Sequence, residues 1–160
     1  MKVLVTGKDG QLGQSIYKIV KNKNFFDNFT FIGRAELDLR SEDSIIDYLN
    51  ISNFDVLINC AAYTKVDRAE AEEELANQIN HLAVKKLAEI SKLAKVKLIH
   101  ISTDYVFDGK SENLYKETSR ANPINVYGKT KLAGENALKE VMPTNATIIR
   151  TSWVYSEFGN

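Results

Sequence analysis

Short apolar runs, each halted by a glycine or a polar residue, alternate along this chain with amphipathic helical segments. That alternation is the strongest constraint on its fold. Lys2 to Thr6 reads as a buried strand stopped by Gly7. Gln11 to Lys21 carries Leu12, Ile16, Ile19 and Val20 at helical spacing, which predicts a helix with those residues on its buried face. Further strands are expected at 29–32, 55–59, 96–102 and 147–150. Ser41 reads as an N-cap, with acidic residues in the following turn and Ile45, Ile46 and Leu49 facing inward. A long helical region runs from Asp67 to about Lys95, with a break expected near Asn77. Segment 108–122 is polar and loop-like, and a helix follows Pro123, from about Val126 to Val141. Strand and helix in strict alternation predict an α/β fold of Rossmann type: one doubly wound parallel sheet with helices on both faces, in three layers. A chain of 160 residues is most simply one domain.

In such sheets ligands bind beyond the carboxyl ends of the strands. The notable motifs sit at those ends: Gly7 after the first strand, Gly33-Arg34 after the second, Cys60-Ala61-Ala62 after the third, Ser102-Thr103 after the fourth. The loop Gly7-x-x-Gly10-x-x-Gly13 joins a strand to a helix. Gly7 permits a tight turn, Gly10 lets a pyrophosphate approach the backbone, and Gly13 lets helix pack on strand. Free amides and the helix dipole then hold phosphates. Past the second strand, Arg34 would tolerate a 2′-phosphate on an adenosine ribose, while Glu36 and Asp38 come slightly later. This leans toward NADPH and leaves NADH open.

Tyr127 and Lys131 stand one helical turn apart on one face. A ketone receiving hydride builds negative charge on oxygen, and a phenol can supply the proton. An ordinary tyrosine, with a pKa of about 10, matches neutral pH poorly. A lysine cation nearby is expected to lower that value. Thr103, or Ser102, would donate a hydrogen bond to the ketone oxygen. Tyr17 and Lys21 show the same spacing but sit at the far end of the first helix. Gly128-Lys129-Thr130 resembles the end of a P-loop, but position 123 is proline where that motif needs glycine.

The formal net charge of zero removes any electrostatic case for nucleic acid or an anionic membrane. No apolar run approaches the length of a membrane span. Met1 to Val5 runs straight into the glycine loop, too short a stretch for a signal peptide. A single cysteine, Cys60, allows no internal disulfide, so a reducing cytoplasm is the expected setting. Cys60 reads as a small buried hydrophobe and His100 as a structural strand residue. No Cys or His cluster has zinc spacing, and Glu70 to Glu74 reads as a solvated helix face.

The glycine loop and the Tyr127/Lys131 pair resemble the extended short-chain dehydrogenases. Three strings narrow the resemblance to the dTDP-4-dehydrorhamnose reductase family. They are Ser102-Thr103-Asp104-Tyr105-Val106-Phe107-Asp108-Gly109, the run from Asn125 to Glu135, and Arg150-Thr151-Ser152-Trp153-Val154-Tyr155. The resemblance implies reduction of the C4 ketone of dTDP-4-dehydro-L-rhamnose. Tyr127 would be the proton donor, Lys131 its partner and Thr103 the hydroxyl that orients the ketone. It implies cofactor contacts from Gly10, Gln11 and Leu12, from Asp38 and Leu39 at the adenine, and from Ala62, Tyr63 and Thr64 beyond the third strand. Thr103, Asp104 and Trp153 would touch the sugar nucleotide. Magnesium enters by resemblance only, and these residues show no site for it. The resemblance also implies a smaller C-terminal substrate domain that this chain does not carry. The chain alone is therefore expected to keep cofactor contacts and to bind sugar nucleotide poorly. A related epimerase or dehydratase, and a non-catalytic NADP-binding regulatory subunit, remain the alternatives. A homodimer stays open.

Overall fold

The computed structural model describes residues 1–23, 25–50 and 53–159. In chain order the elements are β1 (Val3–Thr6), α1 (Gln11–Asn22), β2 (Phe29–Ile32), α2 (Glu42–Asn50), β3 (Val56–Asn59), α3 (Val66–Ala69), α4 (Glu73–Asn77), α5 (Ala83–Leu93), β4 (Lys97–Thr103), α6 (Val126–Val141) and β5 (Ala146–Thr151). The strands form one parallel sheet in the order β2-β1-β3-β4-β5. This is the five-stranded doubly wound arrangement, with strand order reversing between β1 and β3. The step from β1 to β2 runs one way across the sheet and every later step runs the other way. Right-handed crossovers therefore put α1 on one face and the remaining helices on the other. On that second face α2 packs on α5, and both α4 and α5 pack on α6.

The main core lies under this helical layer. Leu4, Leu57 and Leu98 come from the sheet, Ile45 from α2, Val84 and Leu87 from α5, and Leu138 from α6. Each of these large side chains, removed from water, contributes roughly 1.5–3 kcal/mol. A smaller cluster of Tyr63, Ala69, Ala76, Val126 and Tyr127 seats the start of α6 against α3 and α4.

Local chemistry explains most boundaries. The Ser41 hydroxyl accepts from the Ser44 amide at 3.2 Å and caps α2. The Asn125 carboxamide accepts from the Gly128 amide at 2.7 Å and caps α6. Two expectations need correction. Ile19 is 61% exposed, so the inward stripe of α1 runs through Gly13 and Val20 without it. The helical region also breaks at 70–72, between α3 and α4, where no break was expected, and the interruption expected near Asn77 is a widening of the helix rather than its end. After Asn77 the helix widens into a π-helical turn, Gln78–Leu82, before α5. The widened turn lies against α6 at Gly134, where a Cβ would collide with the Asn80 carbonyl oxygen.

Candidate active site

The glycine loop follows β1. Gly7 holds φ +74°, a conformation glycine adopts without strain. The Gly10 amide closes the turn on the Gly7 carbonyl at 3.0 Å. A Cβ on Gly13 would strike that same carbonyl, so glycine there lets α1 lie close on the loop. Gly10 brings no capping side chain, which leaves the first-turn amides of Gln11, Leu12 and Gly13 free to meet an anion. The Gln11 carboxamide nitrogen is buried there with no partner among the described residues. A dinucleotide diphosphate fits these donors.

At the end of β2, Arg34 is 66% exposed and lies 3.9 Å from the Asp38 carboxylate. Arg40 holds both oxygens of Asp38 and pulls its pKa down to about 2. The Glu36 carboxylate accepts from the Gly33 amide at 2.9 Å and pairs with Lys8. Leu39 turns its side chain into the core, so only its backbone can face a ligand. Beyond β3, Ala62 is half-buried and Thr64 exposed, while the backbone of Tyr63 is bracketed by one side chain. Asn80 accepts from the Tyr63 amide at 2.9 Å and donates to its carbonyl at 3.0 Å, and also donates to Thr130 of α6 at 3.2 Å.

Thr103 ends β4, buried, with its hydroxyl donating to Asp104 at 3.1 Å and accepting from the Tyr105 amide at 3.2 Å. Asp104 also accepts from the Ser152 hydroxyl at 2.6 Å. Tyr127 is buried, its ring edge-on to Tyr105 at 5.5 Å. Burial raises its phenol pKa, the Thr103 hydroxyl bond works against that, and Asp104 adds to the rise. The expected lowering by a lysine cation does not appear. The Lys131 ammonium, fully buried, donates instead to the Ile101 carbonyl at 2.7 Å and lies 3.4 Å from Nε2 of His100. Burial lowers its pKa to about 8, with Glu135 acting the other way. Trp153 stands apart from this group, 90% exposed at φ +52°.

Residues that the motifs did not single out complete the site. Thr6, Asn59 and His100 are register neighbours across β1, β3 and β4, and all three are buried. The Thr6 hydroxyl donates to Asn59 Oδ1 at 2.7 Å, and Asn59 Nδ2 lies 3.1 Å from His100 Nδ1. Glu135, on the turn of α6 after Lys131, is fully buried. It accepts from Ser102 at 2.6 Å and from Arg150 at 2.9 and 2.6 Å. Burial pushes its carboxyl up, and the Arg150 and Ser102 bonds outweigh this and leave it lowered. The acidic segment is more than a solvated face. Glu70 accepts from the Val126 amide at 2.8 Å at the start of α6, and Glu72 accepts from the Tyr63 phenol at 2.6 Å. Cys60 is half-buried, and burial pushes its thiol up to about 12, which disfavours the thiolate a nucleophile needs.

Tyr17 rests edge-on to Phe26 and Phe31. It lines a cleft of about 690 Å³ beside α1 that reaches Lys8 and Asp9 of the glycine loop but includes none of the predicted site residues. Among the described residues no group of three or more His, Cys, Asp or Glu gathers as a metal site. No described helix is long and apolar enough to cross a membrane.

Comparison with known proteins fits this geometry. A dTDP-4-dehydrorhamnose reductase from Aggregatibacter actinomycetemcomitans is 39% identical over 159 residues, 99% of this chain and 53% of that protein. A dTDP-4-keto-6-deoxy-D-glucose reductase from Streptomyces niveus is 37% identical, over 98% of this chain and 54% of its own length. The structure of dTDP-4-dehydrorhamnose reductase from Bacillus anthracis in complex with NADP superposes with a TM-score of 0.92 at 38% identity, covering 100% of this chain and 57% of that one. A dTDP-glucose 4,6-dehydratase from Streptomyces venezuelae, 18% identical, shares the fold with a TM-score of 0.84. The chain spans about half the length of the curated relatives it matches. Residues 1–160 match the RmlD substrate binding domain throughout, and the chain belongs to that family.

Proposed function

We propose that residues 1–160 form the NAD(P)H-binding domain of a reductase acting on the C4 ketone of dTDP-4-dehydro-L-rhamnose. The observation that carries this reading is the gathering on one rim of the glycine loop after β1, Thr103 at the end of β4, and buried Tyr127 and Lys131 on α6. Relatives named as dTDP-sugar reductases, at 37–39% identity, give the substrate class. The NADP complex of a relative at 38% identity gives the cofactor class. Arg34, just past β2, favours NADPH without excluding NADH. A reducing cytoplasm suits the chain's single thiol.

The nicotinamide would supply hydride to the ketone carbon. The remaining work falls to this chain. First-turn amides of α1 hold the diphosphate. The Tyr127 phenol keeps its proton at neutral pH, because burial raises its pKa, and can deliver it to the developing alkoxide. The Thr103 hydroxyl can turn from Asp104 toward the ketone oxygen. The Lys131 ammonium, loosened by burial, is a proton source for the phenolate left behind.

Two measurements test the reading. Calorimetric titration of NADPH into the chain should show binding, weakened in Gly10→Val, where a side chain would enter the phosphate path. Ketone reduction, followed as loss of nicotinamide absorbance in the complete polypeptide carrying these residues, should fall by about 10²–10⁴ in Tyr127→Phe with cofactor affinity kept. Retained turnover in that variant would refute the assignment.

A further inference from the structure

We infer that His100 is a positioning residue for Lys131: braced by Asn59 and Thr6, its ring turns Nε2–H toward the lysine nitrogen and favours the amine that remains when the lysine gives up a proton. The inference deepens the proposed function and rests on Tyr127 and Lys131 being the reacting pair.

The direction of the row follows from its first link. The Thr6 hydroxyl donates to Asn59 Oδ1 at 2.7 Å, so the other end of the carboxamide, its NH₂, faces the imidazole, 3.1 Å from Nδ1. Burial, and then the charge of Lys131, drives the His100 pKa well below its ordinary value, so the ring is neutral. A neutral imidazole has one N–H and one lone pair. With Nδ1 accepting from Asn59, the proton sits on Nε2, 3.4 Å from Lys131 Nζ. An ammonium has no lone pair to receive it, and an amine has one. Every donor in the row therefore points toward Lys131.

The other groups around Lys131 bear on its proton in different ways. The Ile101 carbonyl accepts from it at 2.7 Å. Glu135, on the next turn of α6, favours the ammonium by charge, but its oxygens are held by Ser102 from β4 and Arg150 from β5. Tyr127 lies one turn back on α6. From β1 and β3 the row brings only neutral Thr6 and Asn59. During reduction Tyr127 loses its proton to the substrate oxygen. The phenolate then takes one from Lys131: an N–H bond breaks, an O–H bond forms, and the lone pair left on Nζ accepts from Nε2–H. Solvent later returns a proton to the amine.

His81 and His100 are the only histidines, so long-range proton–nitrogen spectra of the ¹⁵N-labelled chain separate their rings, with His81→Gln making the assignment. Between about pH 6 and about pH 10, His100 should stay neutral with its proton on Nε2. The Nε2 resonance should also shift with the midpoint at which the Lys131 side chain titrates. A proton on Nδ1 above that midpoint, or an Nε2 signal indifferent to the lysine, overturns the inference. His100→Phe keeps a flat ring and removes both nitrogens, and it should raise the Lys131 midpoint by about one unit. No change, or a fall, also overturns it. If that variant fails to fold, the spectra of the unaltered chain still decide. Neither readout needs dinucleotide or turnover, so failure to bind NADPH would sink the reductase reading without touching this result.

Discussion

Replacing Glu135 is the sharpest test of how the rim is held together. Its carboxylate is fully buried and accepts one bond from Ser102 and two from Arg150. A further contact to Lys139, at 3.4 Å, goes to a side chain 56% exposed and contributes little. Glu135→Ala removes the acceptor while leaving the Arg150 guanidinium, only 18% exposed, without its counter-charge. Breaking one partner of a buried pair costs about 3–5 kcal/mol, against a total stability of about 5–15 kcal/mol. With a urea slope of about 2 kcal/mol per molar, the unfolding midpoint should drop by roughly 1.5–2.5 M. Glu135→Leu combined with Arg150→Met removes both charges at similar volume. The double variant should therefore recover to within about 1 kcal/mol of the unaltered chain. Urea unfolding followed by circular dichroism reads all three. A loss below about 1 kcal/mol in Glu135→Ala, or a double variant no more stable than Glu135→Ala, would refute the reasoning.

Lys131 has a folded pKa of about 8 against an ordinary 10.5, so the unfolded chain binds more protons between those values. Burying it costs stability in full below about pH 8, and that cost fades as pH rises toward 10.5. Lys131→Met should accordingly raise the thermal midpoint near pH 7, by up to about 3 kcal/mol in stability, with the advantage shrinking by pH 10. Equal stability at both pH values would count against the buried ammonium. Gly134→Ala places a Cβ against the Asn80 carbonyl and should cost about 1–3 kcal/mol in chemical unfolding, and an unchanged midpoint would deny the close helix approach. Asp108 is held at a pKa of about 2 by bonds from Asn122, Tyr115 and the Lys110 amide. Its support is present above the ordinary 3.8 and lost as pH falls through about 2, so amides of segment 108–122 should exchange faster there before the core opens. Cys60, with its thiol pushed up to about 12, should resist thiol reagents at pH 8 until the chain unfolds, and rapid labelling of the folded chain would contradict its burial.

Much of this architecture is legible in the sequence because local signals suffice for it. Apolar runs mark the strands, Asn125 caps α6 at its expected start, and the Gly7–Gly13 spacing announces the tight turn between β1 and α1. What escapes is set by distant partners. The helix breaks at 70–72, where the Glu70 carboxylate reaches across to the Val126 amide, and nothing in a run of glutamates foretells that. The π turn accompanies Asn80, whose carboxamide brackets Tyr63, seventeen residues back in the chain. The row from Thr6 to His100 exists only because β3 lies between β1 and β4, a neighbourhood that no local pattern shows. The pKa of Tyr127 was expected to fall because spacing put a cation beside it. It rises because the phenol is buried and Asp104 lies near it, while the Lys131 ammonium donates to the Ile101 carbonyl and brings no lowering.

A chain selected for stability alone would have paired Lys131 with Glu135, the carboxylate one turn away on the same helix. Here that carboxylate is held by Arg150 and Ser102, and the lysine is left with a carbonyl and a neutral imidazole. The result is a cation buried without a direct ion pair among the described residues, its proton loosened where an ion pair would have tightened it. A perturbed titration held by several elements at a strand-end rim is the expected mark of chemistry, since proteins retain such local costs where function requires them. Lys131 and Glu135 then divide the labour of α6. Glu135 ties the ends of β4 and β5 to the helix, and Lys131, one turn earlier, is left to donate to the Ile101 carbonyl.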